Sequence, residues 1–188
     1  MKTIAVVSAL VIMVLCYWLW TPDRDRVAME AKYANSPDDF VEVAGIRLHV
    51  RDSGPKAAPA VILLHGFGAS LHTWEGWAKT LSRDMRVIRF DLPGSGLTGP
   101  DPRGDYTDAR ALEILLALMD RLGIARASLV GYSIGGRIAW TFAAKVPART
   151  DKLVLVAPDG FASPGFEYGK APAVPSFLAA MRYVLPQE

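Results

Sequence analysis

Ser133 lies in the run Gly131-Tyr132-Ser133-Ile134-Gly135-Gly136. A serine with glycine two places before and two places after it has the spacing of a nucleophile elbow. In such an elbow a strand turns abruptly into a helix and the hydroxyl stands at the tip. The backbone there is strained, and the flanking residues pass so close together that larger side chains would clash. Gly131 and Gly135 meet that need, and Gly136 leaves room for close helix packing. The chemistry implied is attack by the serine oxygen on an acyl carbon. The helix N-terminus then directs partial positive charge at the oxyanion that forms. The alternative is a glycine-rich turn with an incidental serine. A nucleophilic serine also needs a histidine to take its proton. The sequence holds three, His49, His65 and His72, and all precede Ser133.

The elements that must carry this serine are legible in the apolar pattern. Phe40 to Asp52 alternates apolar and polar residues around Ala44-Gly45, which predicts a hairpin. Val61 to Leu64 is wholly apolar, as in a strand buried on both faces. Arg86 to Phe90, Ser128 to Val130 and Leu153 to Val156 are further strand candidates. Helical spacing covers about His72 to Leu81, with Trp74, Trp77 and Leu81 on one face. It recurs from about Thr107 to Leu122, ending at Gly123 as a C-cap, and from Ile134 to Val146, ending before Pro147. The stripe Ile138, Phe142, Val146 predicts a core-facing side. Strands alternating with helices predict an α/β fold with a mostly parallel sheet and flanking helices. The strand at Ser128 to Val130 leads into the elbow and the Ile134 helix leaves it, as the motif requires.

From Phe40 to Val156 the chain resembles the N-terminal part of the α/β-hydrolase family. The resemblance rests on His65-Gly66-Phe67-Gly68 after the first buried strand, Asp91-Leu92-Pro93-Gly94-Ser95-Gly96 after the next, and the elbow. It implies an α/β-hydrolase fold, C-terminally incomplete, and a serine hydrolase, esterase-like, in which Ser133 is the nucleophile. The backbone N–H groups of Phe67 and Ile134 would form the oxyanion hole, with Phe67 otherwise an apolar pocket wall. His65 and Gly66 would support the oxyanion loop, and Gly131 and Gly135 the elbow. The relatives it suggests cleave esters or carbon–carbon bonds of small apolar substrates. An aspartate nucleophile would have pointed to dehalogenase or epoxide hydrolase chemistry, and Ser133 argues against both.

The resemblance fails in one place. The family orders its triad as nucleophile, acid, histidine, and no histidine follows Ser133. His49 reads as a half-exposed sheet residue, and His72 as the start of a helix lining the site. Asp159 is a candidate acid, but Pro158-Asp159-Gly160 is also a turn signature. Without its base, the serine of a serine protease loses about 10⁶ in kcat. The strand at Leu153 to Val156 would also be an uncovered apolar edge. Both features are expected of a fragment of a longer protein, inactive as given. The proline-punctuated stretch 161–188 then begins a lid, with a helix from Phe177 to Leu185, or is a disordered end. The alternative is a non-catalytic binding or scaffold protein that keeps the fold.

Other patterns carry less. Gly94-Ser95-Gly96-Leu97-Thr98-Gly99 matches a dinucleotide fingerprint, but Pro100 and Pro102 oppose the helix such a site requires. Arg103-Gly104-Asp105 is too short to inform. No histidine–cysteine cluster has metal-ligand spacing, and neither metal nor cofactor is expected. A net charge of +2 in 188 residues, with no basic stripe, gives no nucleic-acid footprint. The expected partner is a small-molecule substrate. Cys16 is the single cysteine, so no intramolecular disulfide can form. Thr3 to Trp20 is almost unbroken apolar sequence, with Tyr17, Trp18 and Trp20 at its far end. It predicts an uncleaved single-pass transmembrane helix, since no small-residue cleavage site follows. The expected organisation is thus a membrane anchor over 1–22, a polar tether over 23–38 with room for a short helical stretch, the α/β-hydrolase core over 39–160 and the start of a lid over 161–188.

Overall fold

The structure, a computed structural model, describes residues 2–20, 24–160 and 176. The lid and the helix expected from Phe177 to Leu185 lie outside the described residues. The chain divides into two compact units, one holding residues 1–25 and the other the α/β core.

The first unit contains helix α1 (Lys2–Leu19). The side chains of Leu10 to Leu15 and of Tyr17 to Trp20 that are large and apolar are exposed. Among the described residues no helix is long and apolar enough to cross a membrane. The expected transmembrane span is therefore not supported. The 18 residues of α1 rise only about 27 Å against a hydrocarbon core of about 30 Å. The ends of that short rise are a lysine and a tyrosine–tryptophan pair.

In the second unit, helix α2 (Arg26–Tyr33) precedes a six-stranded sheet. Its strands are β1 (Phe40–Val43), β2 (Ile46–Ser53), β3 (Ala60–Leu64), β4 (Arg86–Phe90), β5 (Ala127–Tyr132) and β6 (Thr150–Val156). The spatial order is β1-β2-β4-β3-β5-β6. The hairpin β1–β2 is antiparallel and turns where it was expected, with Ala44 (φ 50°) and Gly45 (φ 78°) both left-handed. That pair of angles suits the tight primed turns of hairpins. Strands β3 to β6 pair in parallel. Helix α3 (Glu75–Leu81), entered by a 3₁₀ turn Leu71–Trp74, links β3 to β4. Helix α4 (Asp108–Arg121) links β4 to β5, and α5 (Ile134–Lys145) links β5 to β6.

Alternation along β3 explains the two layers. Val61 and Leu63 pack with Trp74 and Ala78 beside α3 on one face. Ile62 and Leu64 pack on the other with Leu115, Leu118, Ile138 and Phe142 of α4 and α5. A strand covered on both sides has to be apolar at every position, which is why its run shows no period. The α5 stripe is core as expected, Ile138 and Phe142 fully and Val146 in part. Strand β6 pairs with β5 alone among the described residues, and Leu153 to Val156 are 37–44% exposed.

The expected tether is partly a structural element. Glu30 of α2 pairs with Arg47 of β2 at 2.7 Å, Arg51 donates to the Tyr33 carbonyl at 2.7 Å, and Arg26 donates to the Leu97 carbonyl at 3.1 Å. A polar segment without clear apolar period is here held by charge-assisted bonds rather than by burial.

Candidate active site

The chain leaves β3 for β4 on one side and later adds β5 on the other. The order therefore reverses beside β3, and open α/β sheets bind ligands at the carboxyl ends of strands at such a point. Leu64 pairs with Gly131 across β3 and β5. The segments that follow them, Gly66-Phe67 and Ser133, are brought together there.

Ser133 has φ 52° and ψ −120°, directly between β5 and α5. This is a strained conformation for a non-glycine residue. Its carbonyl accepts from Arg137 N–H at 3.1 Å and Asp159 N–H at 2.9 Å, and its own N–H donates to the Val156 carbonyl at 3.2 Å. The strain is thus held from β5, α5 and the turn after β6. The glycines are required by contact. A Cβ on Gly131 would overlap the carbonyl group of Gly135, and one on Gly135 would overlap the carbonyls of Leu64 and His65. A Cβ on Gly136 would stand 2.8 Å from Pro158 Cβ.

The other arm of the site is the His65-Gly66-Phe67 turn. A Cβ on Gly66 would lie 2.7 Å from the Tyr132 ring and 3.3 Å from Ser133 Cβ, so this turn abuts the elbow. Ile134 is the first residue of α5, and its amide has no carbonyl one turn earlier in the helix to bond. Phe67 is 91% exposed.

His65 is fully buried and both ring nitrogens are engaged. Nδ1 donates to the Gly66 carbonyl at 2.8 Å and Nε2 accepts from Leu92 N–H at 2.9 Å. Burial pushes its pKa below the ordinary 6.5, against smaller opposing effects of the Gly66 bond and Asp91. A neutral imidazole bonded at both ends is a strut between two loops, not a base. His49 departs from the half-exposed expectation: it is fully buried. Its Nδ1 donates to Asp91 Oδ2 at 2.8 Å, while Nε2 has no partner among the described residues. His49 sits on β2, three strand spacings from β5, or roughly 14 Å. A general base must come within about 3 Å of its proton. The His72 ring lies 6.4 Å from that of His49, on the same side of the sheet. It lines a cavity with Tyr33 and Asp91 rather than the elbow. The described geometry thus brings no histidine to Ser133.

Asp159 is placed beside the elbow by its backbone, but its carboxylate is occupied. Oδ1 accepts from Gly160 N–H at 2.7 Å, as in the turn reading, and Oδ2 lies 3.6 Å from Arg137. Arg137 also pairs with Asp108 at 3.2 Å. Asp91 was missed as a site residue. Its Oδ2 accepts from His49 and, at 2.8 Å, from Leu97 N–H, while Oδ1 accepts from Leu71 N–H at 2.7 Å. Burial opposes its ionisation, yet these bonds hold its pKa below the ordinary 3.8. Gly96 gives way to it, since a Cβ there would overlap the carboxylate. The signal in the sequence was an aspartate immediately after an apolar strand and before a glycine-rich turn. The look-alike fingerprint is that turn: Gly94 N–H bonds the Gly99 carbonyl at 2.9 Å, and no helix opens before Asp108. Among the described residues no cluster could hold a metal ion.

A mostly parallel sheet clad by helices, with a strained serine at its switch point, defines an α/β fold bearing a nucleophile elbow. The chain belongs to the alpha/beta hydrolase fold family, whose model matches residues 59–184. It is 39% identical over 112 residues to a putative 2-succinyl-6-hydroxy-2,4-cyclohexadiene-1-carboxylate synthase of Bacillus subtilis, a match covering 59% of this chain and 40% of that protein. Among solved structures it is similar to the meta-cleavage product hydrolase CumD of Pseudomonas fluorescens IP01, with a TM-score of 0.63 and 29% identity. That match covers 68% of this chain and 47% of the other. The enol-lactonase of Burkholderia xenovorans LB400 matches with a TM-score of 0.58 and 34% identity, covering 61% of this chain and 44% of the other. The chain thus spans less than half the length of these relatives.

Proposed function

We propose that the protein is a serine hydrolase acting on an ester or similar acyl or carbon–carbon bond of a small apolar substrate. Ser133 Oγ attacks the carbonyl carbon, and the N–H groups of Phe67 and Ile134 receive the oxyanion. The observation that carries this reading is the backbone of Ser133 (φ 52°, ψ −120°), a strained non-glycine conformation held between β5 and α5 at the tip of the elbow. Membership of a hydrolase family and the Gly66 approach to Ser133 support it. Each oxyanion donor would contribute about 2.7–4 kcal/mol to the transition state. We assign the base to residues outside the 188, because His65 is bonded at both ring nitrogens, His49 is bonded to Asp91, and His72 lines a cavity with Tyr33 and Asp91.

A fluorophosphonate probe on the full-length protein tests the reading. Labelling of Ser133, abolished in Ser133→Ala, is the expected result. A folded full-length protein that takes no label overturns it. That outcome favours a binding or scaffold role. We also propose that the N-terminal helix attaches the protein to a membrane, for which the exposed run from Leu10 to Trp20 is the support. Release of the protein from vesicles by salt alone would sink that proposal.

A further inference from the structure

We infer that the small apolar cavity beside the elbow seats a short unbranched chain on the attacked carbon, which makes short-chain acyl compounds the substrate class. This rests on the serine hydrolase reading above. The cavity has a volume of about 80 Å³, and its walls include Phe90, Leu92, Tyr106, Ile114, Ile134 and Ile138. Two of these walls are fixed by the site itself. Ile134 directly follows Ser133. Leu92 is held through its N–H by Nε2 of His65, the residue that opens the opposite arm. Ser133 and Phe67 do not line the cavity, which meets the site through Ile134, so a chain on the attacked carbon enters it past that side chain.

Most of the polar groups around the cavity are already bonded. Arg110 donates to Asp101 at 2.7 Å and to the Ala44 carbonyl at 2.8 Å. The Thr107 hydroxyl caps α4 by accepting from Arg110 N–H at 3.3 Å, and Asp105 accepts from Thr107 N–H at 2.9 Å. The Tyr106 hydroxyl accepts from Asp101 N–H at 3.2 Å, which fixes the ring in an exposed wall. Apart from the Tyr106 O–H, what remains for an occupant is mostly hydrocarbon. Size then selects the occupant. A dry cavity of about 150 Å³ takes one benzene. About half that volume leaves room for a short alkyl chain and not for an aromatic ring.

The test is a series of p-nitrophenyl n-alkylphosphonates, methyl to octyl, reacted with the full-length protein. The serine oxygen forms a bond to phosphorus, p-nitrophenolate leaves with the bonding pair, and the serine proton passes to solvent. Ser133 modification is followed by mass spectrometry. The rate should rise about fourfold per methylene up to propyl or butyl, then fall at least tenfold by octyl. Ala111→Leu fills the cavity from α4 and should cut the butyl rate at least tenfold relative to methyl. Tyr106→Ala removes the exposed wall and should move the optimum to longer chains. A rate that is flat or still rising at octyl overturns the inference alone, as does an unchanged profile in both variants. Failure of every member, methyl included, to label Ser133 removes the hydrolase reading and this inference with it.

Discussion

Two helices of this protein carry glycine at the same place, the second residue after the cap, and alanine should act oppositely at the two. Gly76 follows Glu75 at the start of α3, and a Cβ there meets nothing within 4 Å. Gly135 follows Ile134 at the start of α5, where a Cβ would overlap the main-chain carbonyls of Leu64 and His65 at the end of β3. At Gly76 the substitution restricts the unfolded chain and improves helix propensity. It should stabilise by about 0.4–1 kcal/mol. At Gly135 the same gain is at most about 1 kcal/mol, while overpacking costs about 1–3 kcal/mol. The atoms struck belong to the central strand, which cannot yield without moving the His65-Gly66 turn, so the upper end applies. A net loss of about 2 kcal/mol follows. For a domain of this size that lowers Tm by about 4–8 °C, while Gly76→Ala raises it by about 1–4 °C. Urea midpoints for the two variants beside the parent measure the difference at unchanged slope. Equal shifts of the same sign would refute the close packing of elbow on β3, and with it the structural account of why glycine is needed there.

Acid should destabilise the fold in two stages. His65 is held below 6.5 by burial, so the unfolded chain takes up a proton first and stability falls as pH drops below about 6.5. Asp91 is held below 3.8, so the stability it supplies is present above that value and is lost as pH falls further. Urea midpoints at pH 7.5, 5.5 and 4 should decline in that order, and a midpoint at 5.5 equal to or above that at 7.5 contradicts the buried neutral imidazole. Asp159→Asn should alter the rate of Ser133 labelling by less than about threefold, because its carboxylate bonds Arg137 and Gly160. Converting the acid of a working triad to its amide lowers kcat by about 10⁴, and a fall of that order here would make Asp159 the acid after all.

The sequence by itself determined the local elements and the chemistry of the elbow. Apolar period marks which residues face a core, so β4 could be read directly, and α4 and α5 to within a residue. The elbow is legible because its constraint is local: strain at one serine and contact between residues two places either side depend on a few consecutive positions. The half-exposed His49 was misread for the opposite reason. His49 and its partner Asp91 are 42 residues apart in the chain. An apolar–polar alternation cannot report a polar residue whose burial is balanced by so distant an anion. The docking of α2 likewise depends on Arg47 and Arg51, which face it only once β2 has paired with β4. Strand order was decided by the tertiary structure alone. Each strand carries a record of its faces and none of its neighbours, and it is the neighbours that set the Gly66 turn against Ser133 and keep all three histidines from it.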